Sequence, residues 1–297
     1  MNEVTMNEPT THEAQHAADT VVTAAGPASA VVAHGVGKTF RSGRGTVVAL
    51  DGVDLTVSAG EIVSLIGPSG CGKSTLLRLV ADLDHPTSGT LEIFGRTASD
   101  ARANQDYGIV FQSAGLLPWR TVRANVELPL ELHGTGRGQR RARALELLDL
   151  VGLGDFVDSY PHQLSGGMQQ RVAIARALAE EPSLLLMDEP FGALDEMTRE
   201  RMQSELLSIC AQTRAAVVFV THSIPEAVYL SDRVVVMSPR PGRITGIVPV
   251  DLGGAGDRVD GLREDTAFFT AVTQVREALH DGSGHSAQAG RRGGDVR

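Results

Sequence analysis

The chain has 297 residues, 42% hydrophobic and 21% charged, enough for one large domain or two small ones with a real core. With 27 Lys plus Arg against 36 Asp plus Glu the formal net charge is −9, which argues against a protein that holds nucleic acid on a broad basic surface. No apolar run approaches the roughly 20 residues that cross a bilayer, the N-terminus lacks the regions of a signal peptide, and the two cysteines, Cys71 and Cys210, make neither a disulfide framework nor a zinc site, so a soluble, cytosolic chain is expected.

Residues 1–30 carry no Lys or Arg and no apolar periodicity, and are read as a disordered tail; residues 281–297 are read the same way. Between them, over 31–280, the pattern predicts strands of an antiparallel patch at Val47–Leu50, Leu55–Val57 and Leu91–Phe94. Continuous Val/Ile/Leu runs predict buried strands at Ile62–Ile66, Ile109–Phe111, Leu184–Met187, Val217–Val220 and Val234–Met237. Helical periodicity covers Lys73–Ala81, Gln139–Leu150, Gly167–Ala179, Glu196–Gln212 and Ile224–Leu230. Strands alternating with helices predict an α/β fold with a mostly parallel sheet. The stretch 113–165 has helical patterns and no clear strand, and reads as a helical insertion.

Gly67-Pro68-Ser69-Gly70-Cys71-Gly72-Lys73-Ser74-Thr75 fits G-x4-G-K-[ST] between an apolar strand and a helix, the context that a phosphate-binding loop requires. Glycines let successive N–H groups turn inward onto phosphate oxygens, and the helix start adds its positive end. Lys73 is placed for the β- and γ-phosphates and Ser74 for Mg²⁺. Cys71, beside Lys73 and a helix start, is either a reactive thiol or a small inert filler. Leu184–Met187 ends in Asp188 and Glu189; a carboxylate at the end of a buried strand needs a cation or a network. Asp188 is suited to hold Mg²⁺ and Glu189 to act as general base; without the upstream loop the pair would read as a helix cap. Leu164-Ser165-Gly166-Gly167-Met168-Gln169-Gln170 opens a further amphipathic helix, with Ser165 as N-cap and two glycines exposing N–H groups. It is a second anion cradle, which invites service to a nucleotide held by another subunit.

Leu164–Gln170 resembles the signature motif of ABC-type ATPases, and the resemblance extends across roughly residues 31–245. It implies a P-loop NTPase core with an antiparallel β subdomain and a helical subdomain. It implies ATP and Mg²⁺ as ligands, with Ser74, Gln112 and Asp188 at the metal and Phe40 and Val48 at the nucleotide beside the phosphate loop. Glu189, Gln112 and His222 take the catalytic positions, Asp195 in Ala193-Leu194-Asp195 the D-loop, and Ser165, Gly166, Gly167 and Met168 the contact to the ATP of the partner subunit. Taken alone, Phe40 would be core, Gln112 a surface amide and His222 a structural histidine. Ser223 stands where many relatives have aspartate, and Met168 where many have glutamine.

The segment Leu116-Leu117-Pro118-Trp119-Arg120 holds the chain's one Trp and is either a satellite core or an exposed patch for a partner helix. It resembles importers of the nitrate/sulfonate/taurine branch, as do Ala227–Arg233 and Met237-Ser238-Pro239-Arg240-Pro241-Gly242-Arg243. The resemblance implies an ATPase homodimer on the cytoplasmic face of the membrane, two integral-membrane permease subunits and an extracytoplasmic solute-binding protein, with no nucleic acid. The alternative is a soluble ABC-type ATPase working on nucleic acid or ribosomes; a nucleotide kinase would explain the phosphate loop but not Ser165–Gln170.

Overall fold

The computed structural model describes residues 29–43, 45–256, 258 and 260–289. The chain opens with two long strands, β1 (Ser29–Ser42) and β2 (Gly45–Ser58), then β3 (Ile62–Ile66) and helix α1 (Lys73–Val80). There follow β4 (Ser88–Ile93), β5 (Arg96–Thr97), α2 (Ala98–Ala103) and β6 (Tyr107–Val110). A helical stretch comes next, with α3 (Val122–Val126), α4 (Leu128–Leu132), α5 (Arg137–Leu150) and α6 (Gly166–Ala177). The chain then alternates through β7 (Leu184–Asp188), α7 (Glu196–Thr213), β8 (Ala216–Val220), α8 (Ile224–Leu230) and β9 (Arg233–Met237). It ends with β10 (Ile244–Pro249) and α9 (Thr266–Ala289).

The larger sheet has the order β10-β9-β3-β8-β7-β6, parallel except for β10, and the smaller has the antiparallel order β2-β1-β4-β5. The period of two along the large sheet's strands sends alternate residues to opposite faces. Leu185, Met187, Val217, Phe219, Val234 and Val236 enter a core shared with α5 to α9. Leu184, Leu186, Val218, Val220, Val235 and Met237 enter a second core shared with α1 and the antiparallel sheet. With both faces covered these strands are apolar throughout, which is why the sequence shows runs and not alternation.

Several expectations change. The two strands expected at Val47–Leu50 and Leu55–Val57 are one strand, β2, and they pair with β1, whose His34, Gly35, Gly37 and Lys38 break up its apolar pattern. The reading of 1–30 as a tail is corrected at its end, since Ser29 and Ala30 belong to β1 and Ala30 is buried; residues 1–28 lie outside the described residues. The reading of 281–297 as a tail is corrected likewise: α9 runs through to Ala289, and 290–297 lie outside the described residues. Phe268, Ala271, Val272 and Val275 anchor its first half in the core, and no proline interrupts propagation beyond it. Among the described residues no helix is long and apolar enough to cross a membrane.

Candidate nucleotide-binding site

At the carboxyl ends of β3 and β7, where open α/β sheets place ligands, lies a cleft of about 790 Å³. Its walls include Ser69, Gly70 and Gly72 from the loop between β3 and α1, and Lys73, Ser74 and Thr75 from the first turn of α1. Gly72 caps α1 at φ 116, and a Cβ there would lie 2.6 Å from the Leu50 side chain, so both conformation and space demand glycine. Lys73 is buried and donates to Gly67 O at 2.7 Å and Pro68 O at 3.1 Å, which holds its ammonium inside the loop. Cys71 is 1% exposed and its side chain packs into the core with Leu50 and Leu76; its place among the phosphate-loop residues is through its backbone, and the reactive-thiol reading gives way to the filler reading.

Phe40 reaches the cleft from β1 with 44% exposure, and the Lys38 ammonium lies 5.1 Å from its ring centroid. Val47 and Ala49 of β2 line the wall beside it. Val48 does not, because alternation along β2 turns it to the opposite face.

The Ser74 hydroxyl donates to Asp188 Oδ1 at 3.0 Å, joining the loop to the end of β7. Burial pushes the Asp188 carboxyl above its ordinary value, opposed by the Ser74 bond and by Lys73. Hydroxyl and carboxylate oxygens such as these, and the side-chain amide oxygen of Gln112 on the cleft wall, are hard donors of the kind that a small divalent cation takes. Glu189 follows at φ 48, left-handed for a residue with a side chain, and its N–H donates to Val220 O at 2.9 Å. Gln112 Nε2 donates to Glu189 Oε2 at 3.2 Å, and His222 Nδ1 lies 3.5 Å from the same oxygen. Two residues distant in sequence, Gln112 and His222, thus converge on the Glu189 carboxylate at the cleft wall.

Ser165 and the glycines after it do not line this cleft. Ser165 caps α6, its Oγ accepting from Met168 N at 3.3 Å, and Ser165 and Gly166 are exposed. Asp195 caps α7, accepting from Thr198 N at 3.0 Å, and that bond holds its carboxyl below the ordinary range. Two outward-facing helix starts are what a site completed by a second subunit requires.

Trp119 is 71% exposed. The segment before it is shaped by buried Asn125, which accepts from Leu117 N at 2.7 Å and donates to the carbonyls of Leu117, Arg120 and Thr121. Leu116 packs against the core, so the exposed-patch reading applies to the indole and the satellite-core reading to Leu116. Arg120 pairs with Glu131 at 2.8 Å.

The family described as ABC transporter matches residues 50–192. The taurine import ATP-binding protein TauB of Rhizobium johnstonii is 52% identical over 244 residues, 81% of this chain and 92% of that protein. The nitrate import ATP-binding protein NrtD of Synechocystis sp. is 45% identical over 246 residues, 82% and 92% of the two chains. The chain belongs to the ABC transporter family. A solved dimeric ATP-binding cassette in a post-hydrolysis state with ADP and Pi superposes on this ABC ATPase with a TM-score of 0.69, at 38% identity over 74% of this chain and 99% of that one. The resemblance drawn from Leu164–Gln170 is thereby borne out for the family and its fold. Sequence reasoning missed Val47, Ala49 and Arg240 on the cleft wall. Period-two alternation from Leu50 was the available signal for the first two; nothing local marked Arg240.

Proposed function

We propose that this ABC ATPase is the ATP-hydrolysing subunit that energises an importer for a small anion or sulfonate-like solute. The observation that carries the ATPase half is the Glu189 carboxylate, held between Gln112 and His222 on the wall of the cleft that contains Lys73 and Ser74. The nitrate and taurine import proteins among its relatives support the solute class.

In this reading Phe40 stacks on adenine, the loop amides and Lys73 take the phosphates, and Ser74, Asp188 and Gln112 hold Mg²⁺. When bound, the cation would supply charge neutralisation at the phosphate oxygens. Glu189 accepts a proton from the attacking water as the oxygen adds to the γ-phosphorus and the bond to the β-phosphate oxygen breaks. Gln112 and His222 hold the carboxylate at the position from which it does so. Ser165 and its glycines serve the ATP of a second copy, giving a homodimer; the dimeric solved cassette supports that arrangement. Trp119 receives a helix of one of two permease subunits on the cytoplasmic face of the membrane, and an extracytoplasmic binding protein delivers the solute.

The test is reconstitution of the ATPase in liposomes with a permease and a binding protein that co-purify with it, followed by uptake of labelled nitrate, taurine and an alkyl sulfonate. ATP-dependent accumulation of one of them is expected. ATP hydrolysis with no uptake of any of the three overturns the solute class.

A further inference from the structure

The turn between β9 and β10, a marker of the importer branch in sequence, lies directly on the phosphate loop. Gly242 N donates to Ala49 O at 2.9 Å and Asp51 N donates to Gly242 O at 3.1 Å, which fastens the turn to β2. Ser238 Oγ donates to Pro241 O at 3.0 Å and accepts from Arg243 N at 3.0 Å, closing the turn on itself. A Cβ on Gly242 would lie 2.0 Å from Cys71 O, so backbone touches backbone and only glycine fits. From this platform Arg240 reaches over the loop. Its Nε and Nη2 donate to Gly70 O at 3.2 and 3.0 Å, and its side chain lines the cleft that holds Phe40, Lys73 and Ser74.

We propose that Arg240 is a nucleotide-binding residue that fixes the Gly70–Cys71 peptide from outside the loop and offers its remaining N–H groups to the polyphosphate of a nucleoside triphosphate. The inference rests on the reading of the cleft as the ATP site. A trans peptide sets its C=O and N–H on opposite sides, so a guanidinium that holds Gly70 O on one side leaves the amide of Cys71 on the other, where it donates to Pro68 O at 3.3 Å within the loop. A guanidinium also has more donors than one carbonyl oxygen takes up. Arg240 is exposed, and no other protein partner for it appears among the described residues. The fork geometry of those donors matches phosphate oxygens, and a cation fixed beforehand on a rigid turn needs little reorganisation when the anion arrives. Lys73 behaves alike, its ammonium resting on Gly67 O and Pro68 O of the same loop.

Equilibrium binding of a fluorescent ATP analogue to the purified chain, in magnesium buffer over a range of NaCl, tests this. Arg240→Ala should raise Kd about tenfold, the scale of one charge-assisted hydrogen bond. Arg240→Gln keeps an N–H for Gly70 O and removes the charge; it should stay weakened, with a shallower salt dependence than the wild type. Arg240→Lys should recover part of the affinity. Thermal melting of each variant checks the fold, and the Gln and Lys variants carry the test if the Ala variant unfolds. Wild-type Kd and salt dependence in Arg240→Gln overturn the phosphate contact. Lys73→Ala separates the two readings: loss of binding there with wild-type Kd in the Arg240 variants rejects Arg240 alone, whereas a wild type that binds no analogue rejects the nucleotide site itself.

Discussion

Gln112 Nε2 donates to Glu189 Oε2 at 3.2 Å, a bond between the end of one strand and the end of its neighbour, β6 and β7. A carboxylate met at one oxygen by both an amide and an imidazole is fixed in direction yet keeps its other oxygen free to take a proton. Glu189→Gln should therefore bind ATP as the wild type does and hydrolyse it about 100-fold more slowly or worse, since the amide accepts no proton at neutral pH. Phosphate release and nucleotide binding on the same preparation check this. Turnover near the wild-type rate would remove Glu189 from the role of base.

Glu226 gives a pH signature. It is buried, accepts from the Thr221 hydroxyl and from Gln203 Nε2 at 2.8 Å, and faces Arg199 and His222. Burial raises its pKa above the ordinary value of 4.5, more than these partners lower it. Between the unfolded and the raised folded value the folded state binds the extra proton, so stability from this group is present below the unfolded pKa and is lost as pH rises through the folded one. Glu226→Gln removes that titration. The melting temperature of the variant relative to the wild type should rise as pH increases from about 4 to about 8. Parallel melting curves across that range would show that Glu226 does not titrate as its burial requires.

The phosphate loop, Asp188-Glu189 and Ser165–Gln170 are legible because each packs its chemistry into consecutive residues at the junction of a strand and a helix. What was not legible depends on pairing across the fold. Whether Val47 or Val48 lines the cleft is decided by the register of β2 on β1, and β1 carries register shifts around Ala33, Val36 and Lys38. Arg240 reaches the site only because Gly242 packs on Cys71, a contact that no local pattern encodes. The continuation of α9 to Ala289 follows from the anchoring of its first half, not from the composition of its second.

Ser165 is exposed and absent from the cleft lined by its own chain's Lys73, which makes the division of labour between subunits testable. Lys73→Ala and Ser165→Arg should each abolish hydrolysis. In a mixed dimer one site inherits both defects and the other is intact, so mixing the two inactive proteins should restore part of the activity. Phosphate release from the mixture, against each variant alone, is the measurement. Activity of dilute monomer equal to that of concentrated wild type would instead place a complete site in one chain.

The two thiols should be slow to react. Cys71 and Cys210 are both buried, and burial pushes the Cys210 thiol up to about 12. A maleimide should label the folded protein slowly at neutral pH and rapidly after denaturation, with Mg-ATP making little difference to the folded rate. Fast inactivation traced to Cys71 and blocked by Mg-ATP would restore the reactive reading of that residue.

Trp119 is a surface residue that an isolated subunit does not explain. Its indole is 71% exposed while the backbone beneath it is braced by the hydrogen bonds of Asn125. A large apolar side chain on a rigid base fits a partner's amphipathic helix, and truncation of such an anchor often costs about 2 kcal/mol or more of binding. An exposed side chain contributes little to the subunit's own core, so Trp119→Ala should leave the melting temperature and the basal ATPase rate close to wild type. It should weaken co-purification with the permease and reduce transport in the reconstituted liposomes. Asn125→Ala should share the assembly defect but also lower the melting temperature, because it leaves several backbone groups without their partner. Full assembly and transport by a well-folded Trp119→Ala variant would reject the docking role.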